Sequence, residues 1–443
     1  MIPHIPHIQL KLPFIHPQIN EPKLPLFPEQ LTKPFKPTIK EILEQYLKNS
    51  DPGDHVKMFQ KVLDCGTGKL GYHINVCDHC AETKIIPNSC SSSLCPDCQK
   101  ELAEHWIESR ISELLPVPYY QAVFSLPDSL SVFTMYNKKI IFDIFFSAVA
   151  AAMNKIPGEK NIEIGFIIVL QTWASSLWFD PHMHVCIPGI GILKNGKLNH
   201  YPSKESLPFN EDILSKEFKK VFLEELDAHY FKKNVDENEI ISWPDEMKSA
   251  GEDETSFKKW ISELEQQEWD VNLGKRTYKD PEHLISYIGK RLAISDDQII
   301  GVNSGRVLFE DTKGKKVSLT IEDFVKRLAK HAMPGRYHRI RNYGFLSNGK
   351  KTESISRIRE ELGKALPVID SETPSSGCTI CKKGRMLNVG LILDGGAIKV
   401  CEKNIDRLRN KPAWLDQLKE AQNLNDLLPP LRIYLLSKMI EYQ

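Results

Sequence analysis

Two Cys-x-x-Cys pairs, Cys77–Cys80 and Cys95–Cys98, stand fourteen residues apart, and six of the ten cysteines fall between positions 65 and 98. No other feature constrains the fold as strongly. The N-terminus, Met-Ile-Pro-His-Ile-Pro, lacks the basic and apolar regions of a secretory leader, so the expected compartment is a reducing cytoplasm, where clustered thiols bind metal instead of forming disulfides. Four thiolates suit one tetrahedral Zn²⁺. The spacing predicts that Cys77, Cys80, Cys95 and Cys98 surround one such ion, each knuckle turning both sulfurs toward it, with Cys65, Cys90 and His73 left as candidates for a second site. A four-thiolate ion has no open coordination position, which makes a structural staple the expectation.

A length of 443 residues allows two to four domains. Nine prolines among the first forty residues exclude a regular helix there and predict an extended arm over 1–37. The expected order is then a helix with the cysteine-rich domain over 38–115, a larger domain over 116–366, and a C-terminal element over 367–443. In that last element Cys378-x-x-Cys381 and Cys401 form part of a further metal site that lacks a fourth ligand. The longest apolar runs, Ile140 to Met153 and Ile162 to Leu170, contain Asp143 and Glu163, so no membrane association is expected.

Residues 116–200 read as an α+β pattern with mostly antiparallel connections. A β-type run at Tyr119 to Leu126 is followed by an apolar helix around Met135 to Met153 and by strands at Ile162 to Trp173 and His182 to Pro188, with a hairpin turn at Asn195-Gly196. The charge balance, 58 Lys+Arg against 58 Asp+Glu, first argues against a polyanionic partner. Segment by segment it says the opposite. Residues 205–270 carry nineteen acids and eight bases and read as a solvated helical insertion, whereas 326–359 carry ten bases and one acid, Glu353.

Two short motifs carry chemistry. In a strand, alternate side chains share a face, so His182 and His184 project side by side with ring nitrogens able to chelate one ion. Gln171 and Asp180 are both candidates for a third ligand. Asp280-Pro281 announces a helix, which places Tyr287 two turns in and Lys290 three residues later on the same face. A phenol is a weak nucleophile until a nearby cation favours its phenolate, and Lys290 is placed to supply that charge. Read alone, each motif also fits an ordinary packed or solvated role.

The His182-Met183-His184 strand followed by Tyr287-x-x-Lys290 resembles the HUH superfamily of single-strand DNA nucleases. The wider pattern resembles the rolling-circle transposases of the insertion-sequence ninety-one family. It comprises Asn88-Ser89-Cys90, Cys95-Pro96-x-Cys98-Gln99, Leu114 to Tyr119, Phe124-x-Leu126-Pro127, Thr172-Trp173, Pro181-His182-x-His184, Arg291-x-Ala293-Ile294-Ser295 and Arg339-Ile340-Arg341-x-Tyr343-Gly344. The resemblance spans roughly 65 to 386.

It implies an HUH domain with a central, mainly antiparallel sheet flanked by helices, next to an N-terminal zinc-binding domain. It also implies a transposase that cuts single-stranded DNA at element-end hairpins by metal-assisted attack of Tyr287, with Mg²⁺ or Mn²⁺ held by His182, His184 and Gln171, in a nucleoid-associated setting. The sequence departs from the family pattern twice. No second tyrosine follows Tyr287 at four residues, Tyr278 being a poor substitute, and Gln171 stands where relatives place histidine.

Arg291, Arg336, Arg339, Arg341 and Tyr343 read as a single-strand track of phosphate-neutralising and base-stacking groups. Three other readings compete: a rolling-circle replication initiator, a catalytically inactive zinc-dependent DNA-binding protein, and an unrelated His-x-His metallohydrolase. The oligomeric state is open.

Overall fold

The computed structural model describes residues 36–49, 56–232, 240–274, 276–311, 313–363 and 377–440. The expected proline-rich arm, save its last two positions, and the Ser/Pro linker before Gly377 lie outside them. The chain divides into two compact units, one built on Lys100–Val368 and the other on Pro37–Gln99 together with Ile369–Gln443. This corrects the expected division: residues 100–115 belong with the larger unit, and the C-terminal element shares a unit with the cysteine-rich module. Among the described residues, helices α1 (Ile39–Asn49) and α2 (Val56–Leu63) come first, followed by the hairpin β1 (Tyr72–Cys77) and β2 (Thr83–Pro87) and by helix α3 (Pro96–Ser112).

In the larger unit the order is β3 (Tyr119–Ser125), α4 (Ser131–Tyr136), α5 (Lys138–Glu159), β4 (Ile162–Ile164), β5 (Phe166–Trp173), β6 (Phe179–Pro188), β7 (Ile190–Leu193) and β8 (Leu198–His200). Next come α6 (Glu211–Tyr230), α7 (Glu254–Glu265), β9 (Val271–Leu273) and α8 (Glu282–Ile288). After them run β10 (Ile299–Asn303), β11 (Arg306–Glu310), β12 (Lys316–Thr320), α9 (Ile321–Lys330), β13 (Ile340–Tyr343) and α10 (Lys351–Glu361). A five-stranded sheet in the order β13-β5-β6-β3-β9 forms its centre, and every pairing is antiparallel. The expected α+β class is what the chain adopts. β7 and β8 form the hairpin marked by Asn195-Gly196, where the Asn195 carboxamide accepts the Lys197 N–H at 3.0 Å.

β5 reads Phe-Ile-Ile-Val-Leu-Gln-Thr-Trp and is buried at every position, as a strand covered on both faces must be. One face carries Tyr120, Ala122, Phe124, Ile168, Leu170, Met183 and Val185 and packs in the same core as α5 and α6. Helix α5, 22 residues, is long and apolar enough to cross a membrane, but most of it is core, with Phe142, Phe145, Phe146 and Val149 fully buried. The acidic stretch is no solvated appendage, contrary to its charge count. Phe218 of α6 stacks on Phe145 at 5.4 Å, and Phe218 and Phe222 close on Trp269 at 5.1 and 5.0 Å. The acids line the outer face of helices whose inner face is core.

The opposite face carries Ile167, Val169 and Cys186 and packs with Leu284, Ile285 and Ile288 of α8. Cross-strand register places Gln171 opposite His182, Val169 opposite His184, and Gln121 opposite Cys186 on this same face. After β13 the chain turns at Gly344, where φ is +57° and a Cβ would stand 1.6 Å from the Ile164 carbonyl oxygen, so only glycine fits.

In the second unit, β14 (Met386–Ile392) and β15 (Ile398–Val400) complete a sheet in the order β15-β14-β1-β2, followed by α11 (Glu402–Ile405), α12 (Leu415–Glu420) and α13 (Pro429–Ile440). Ile74, Val76 and Ile85 of the N-terminal hairpin share one core with Val389, Ile405, Leu418 and Leu435. Neither segment has its apolar face covered without the other.

Candidate active site and cysteine centres

His184 is almost fully buried, and His182 beside it is partly exposed, their ring centroids 4.9 Å apart. The Tyr287 ring on α8 meets His184 edge-on at 5.5 Å. The two motifs, about a hundred residues apart in sequence, therefore converge through the packing of α8 on the β5–β6 face. His184 Nε2 lies 3.2 Å from Gln171 Oε1, and His182 Nδ1 donates to the Asp180 carbonyl at 2.8 Å, which turns the other ring nitrogen, Nε2, away from Asp180. Asp180 thus orients His182 from behind.

Gln121 and Tyr278 join the site without any motif to announce them. Gln121 Nε2 is 2.7 Å from His184 Nδ1, and the Tyr278 hydroxyl donates to Gln121 Oε1 at 3.3 Å. The sequence signal for Gln121 is a polar residue amid the aromatic and apolar positions 119–124 of β3. Burial, with His182 adding like charge, holds the His184 pKa well below the ordinary imidazole range, so the ring is neutral at pH 7. Desolvation raises the Tyr287 phenol, and Tyr278 adds to that shift.

Lys290 departs from expectation. Helix α8 begins at Glu282 after Pro281 and ends at Ile288 with Gly289 as its cap, so Lys290 is exposed beyond the helix and does not share a helical face with Tyr287. The expected single-strand track also needs correction. Arg339 is buried and donates to the Arg291 carbonyl at 2.5 Å, and desolvation, with Arg291 nearby, pushes its pKa down to about 9. Arg341 pairs with Asp143 at 2.5 Å and lies over Phe146, while Tyr343 stacks on Phe166 at 5.2 Å.

Other bases of the stretch also clamp the fold. Arg327 donates to the Ser176 carbonyl, Arg359 to the carbonyls of Ser112 and Leu114, and Lys351 pairs with Glu113. Arg336 is exposed. Arg291 is half-buried, with its Nε hydrogen-bonded to nothing among the described residues.

The cysteines do not group as their spacing suggested. Sulfurs of Cys65, Cys90, Cys95 and Cys98 lie within 4.8 Å of one another, and so do those of Cys77, Cys80, Cys378 and Cys381. Cys77 and Cys80 stand at the turn of the β1–β2 hairpin, whereas Cys65 and Cys90 flank its open end, where Tyr72 faces Pro87. A six-residue strand is about 17 Å long, too far for the two knuckles to share an ion. His73 joins neither group, its Nδ1 meeting Asn88 Oδ1 at 2.5 Å. Cys401 instead precedes α11 as its cap residue.

Known proteins place this chain in context. A family model described as "Putative transposase" matches residues 165–354, and one described as "Transposase zinc-binding domain" matches 38–126. "Putative transposase y4qJ" of Sinorhizobium fredii is 30% identical over 359 residues, covering 75% of this chain and 87% of that protein. "Transposase for insertion sequence element IS801" of Pseudomonas savastanoi pv. phaseolicola is 24% identical over 323 residues, covering 70% and 75%. No solved structure matches.

Proposed function

Because the chain belongs to the insertion-sequence ninety-one family of transposases, we propose that it moves DNA in a rolling-circle mode, cutting and joining single strands through a tyrosine ester at Tyr287. The observation that carries this reading is the convergence of Tyr287 on His184, His182 and Gln171 at one edge of a neutral, buried imidazole. The donor set suits Mg²⁺ or Mn²⁺: two imidazoles and an amide oxygen, with His184 Nε2 and Gln171 Oε1 separated by 3.2 Å, close to the roughly 3 Å between adjacent ligands of such an ion. Bound there, the ion would polarise the scissile phosphate.

Tyr287 Oη forms a bond to phosphorus while the bond from phosphorus to the 3′-oxygen breaks. The phenolic proton leaves to solvent, and the departing 3′-oxygen takes one up, giving a 5′-phosphotyrosine and a free 3′-hydroxyl. Attack by another 3′-hydroxyl reverses the step and joins strands without ATP. Burial holds the phenol's pKa above its ordinary value, so Tyr287 enters the site as the neutral phenol. Exposed Lys290 and half-buried Arg291, the first charges after α8, serve the phosphate, and exposed Arg336 serves the flanking strand.

Gln121 sets which His184 nitrogen carries the proton. With its amide nitrogen toward Nδ1, the proton sits on Nε2; with the amide turned over, Nδ1 carries the proton and Nε2 is freed as a ligand. Cys65, Cys90, Cys95 and Cys98 hold a structural Zn²⁺.

The test is a labelled single-stranded oligonucleotide of element-end sequence incubated with protein and Mg²⁺ or Mn²⁺. A nick that depends on metal and disappears in His182→Ala/His184→Ala is expected. Tight binding with no nick on any strand would instead identify an inactive DNA-binding protein.

A further inference from the structure

The second cysteine group has its own logic. We propose that Cys77, Cys80, Cys378 and Cys381 form a second, independent Zn²⁺ site that fastens the C-terminal segment to the N-terminal hairpin, across about 300 residues of intervening chain. The matched zinc-binding family region ends at residue 126 and so contains only half of these ligands.

The sulfurs alternate between the two knuckles, Cys77 Sγ lying 3.7 Å from Cys381 Sγ and Cys80 Sγ 3.7 Å from Cys378 Sγ. Both knuckles have the same local form. The residue after the second cysteine adopts a left-handed conformation in each, Ala81 at φ 62° and Lys382 at φ 54°. Each also aims backbone amides at sulfur: the N–H groups of His79 and Cys80 reach Cys77 Sγ at 3.4 and 3.5 Å, and that of Gly384 reaches Cys381 Sγ at 3.4 Å. Amide donors to sulfur stabilise thiolate, the form that binds metal.

The knuckles interlock as well. Asp78 N–H donates to the Arg385 carbonyl at 2.9 Å, and Asp78 Oδ1 accepts the Arg385 N–H at 2.7 Å. Gly384 leaves the room this requires, since a Cβ there would stand 2.5 Å from Cys77 Sγ and 2.7 Å from Asp78 Oδ1. Such a site closes the end of the β1–β14 pair, where Cys77 faces Met386.

Native mass spectrometry of the full chain purified with Zn²⁺ tests this. Two zinc ions per chain are expected, falling to one in Cys378→Ser/Cys381→Ser and likewise to one in Cys90→Ser/Cys95→Ser. A single ion in the unaltered chain, or two retained in Cys378→Ser/Cys381→Ser, overturns the proposal. If that variant does not fold, Co²⁺ titration of the unaltered, metal-stripped chain decides. Thiolate-to-cobalt absorption saturating at two equivalents is expected, and saturation at one overturns the site.

Discussion

The side-chain amide of Gln121 lies 2.7 Å from Nδ1 of His184, and the hydroxyl of Tyr278 fixes the other end of that amide at 3.3 Å. A buried imidazole thus has its far nitrogen gripped by a residue two strand positions from the cross-strand partner of His184. Gln121→Leu is expected to lower strand cleavage about 10- to 100-fold, the usual loss when a ligand's outer partner is removed. The metal concentration for half-maximal rate should rise in the same variant. Gln121→Glu keeps an acceptor for Nδ1–H and should recover much of the activity at saturating metal.

His331 makes acid stability predictable. Buried with Nδ1 3.2 Å from Thr172 Oγ1, it has its pKa pushed down to about 3, chiefly by desolvation. The unfolded chain, with a histidine near 6.5, binds the proton first as pH falls. The stability from keeping His331 neutral is therefore full above pH ~6.5 and is lost toward pH ~3, at about 1.4 kcal/mol per unit. Denaturant titrations at pH 7 and 5 should show stability falling, and His331→Gln should lessen the slope by His331's share, buried His184 supplying part of the rest.

Gly344→Ala puts a methyl against the Ile164 carbonyl at a positive φ. The conformational cost alone is about 1–2 kcal/mol, and the clash adds to it. Thermal unfolding should fall by several degrees or more, while Gly349→Ala, with open space around its Cβ, should stay near the unaltered chain.

The ion pair of Arg341 with Asp143 is only partly exposed and includes Tyr337, whose hydroxyl donates to Asp143 at 3.0 Å. Asp143→Ala should destabilise the fold by about 1 kcal/mol and weaken DNA binding little, as expected of a clamp and not of a DNA contact. A large loss of binding in Arg341→Ala with folding intact would restore Arg341 to the DNA surface.

What could be read in advance followed local period. His182 and His184 share a face because strands repeat every two residues, and β5 was marked by its continuous apolar run. The partners of the cysteines were not legible, because spacing says that Cys77 and Cys80 form a knuckle but not which distant knuckle faces it. Charge counts misled for a related reason: Arg339, Arg341 and Arg359 resemble surface bases in sequence, yet each finds an internal acceptor only once β13 and α10 are docked. Gln121 and Tyr278 enter through register and an isolated bridge from Tyr119 to Tyr278, which no local pattern encodes.

The most direct measurement is the location of the covalent bond. After reaction with single-stranded DNA and Mn²⁺, nuclease and protease digestion followed by mass spectrometry should find a phosphonucleotide on Tyr287, with no adduct in Tyr287→Phe and an adduct retained in Tyr278→Phe. An adduct that persists in Tyr287→Phe, or one that maps to Tyr278, would contradict the account.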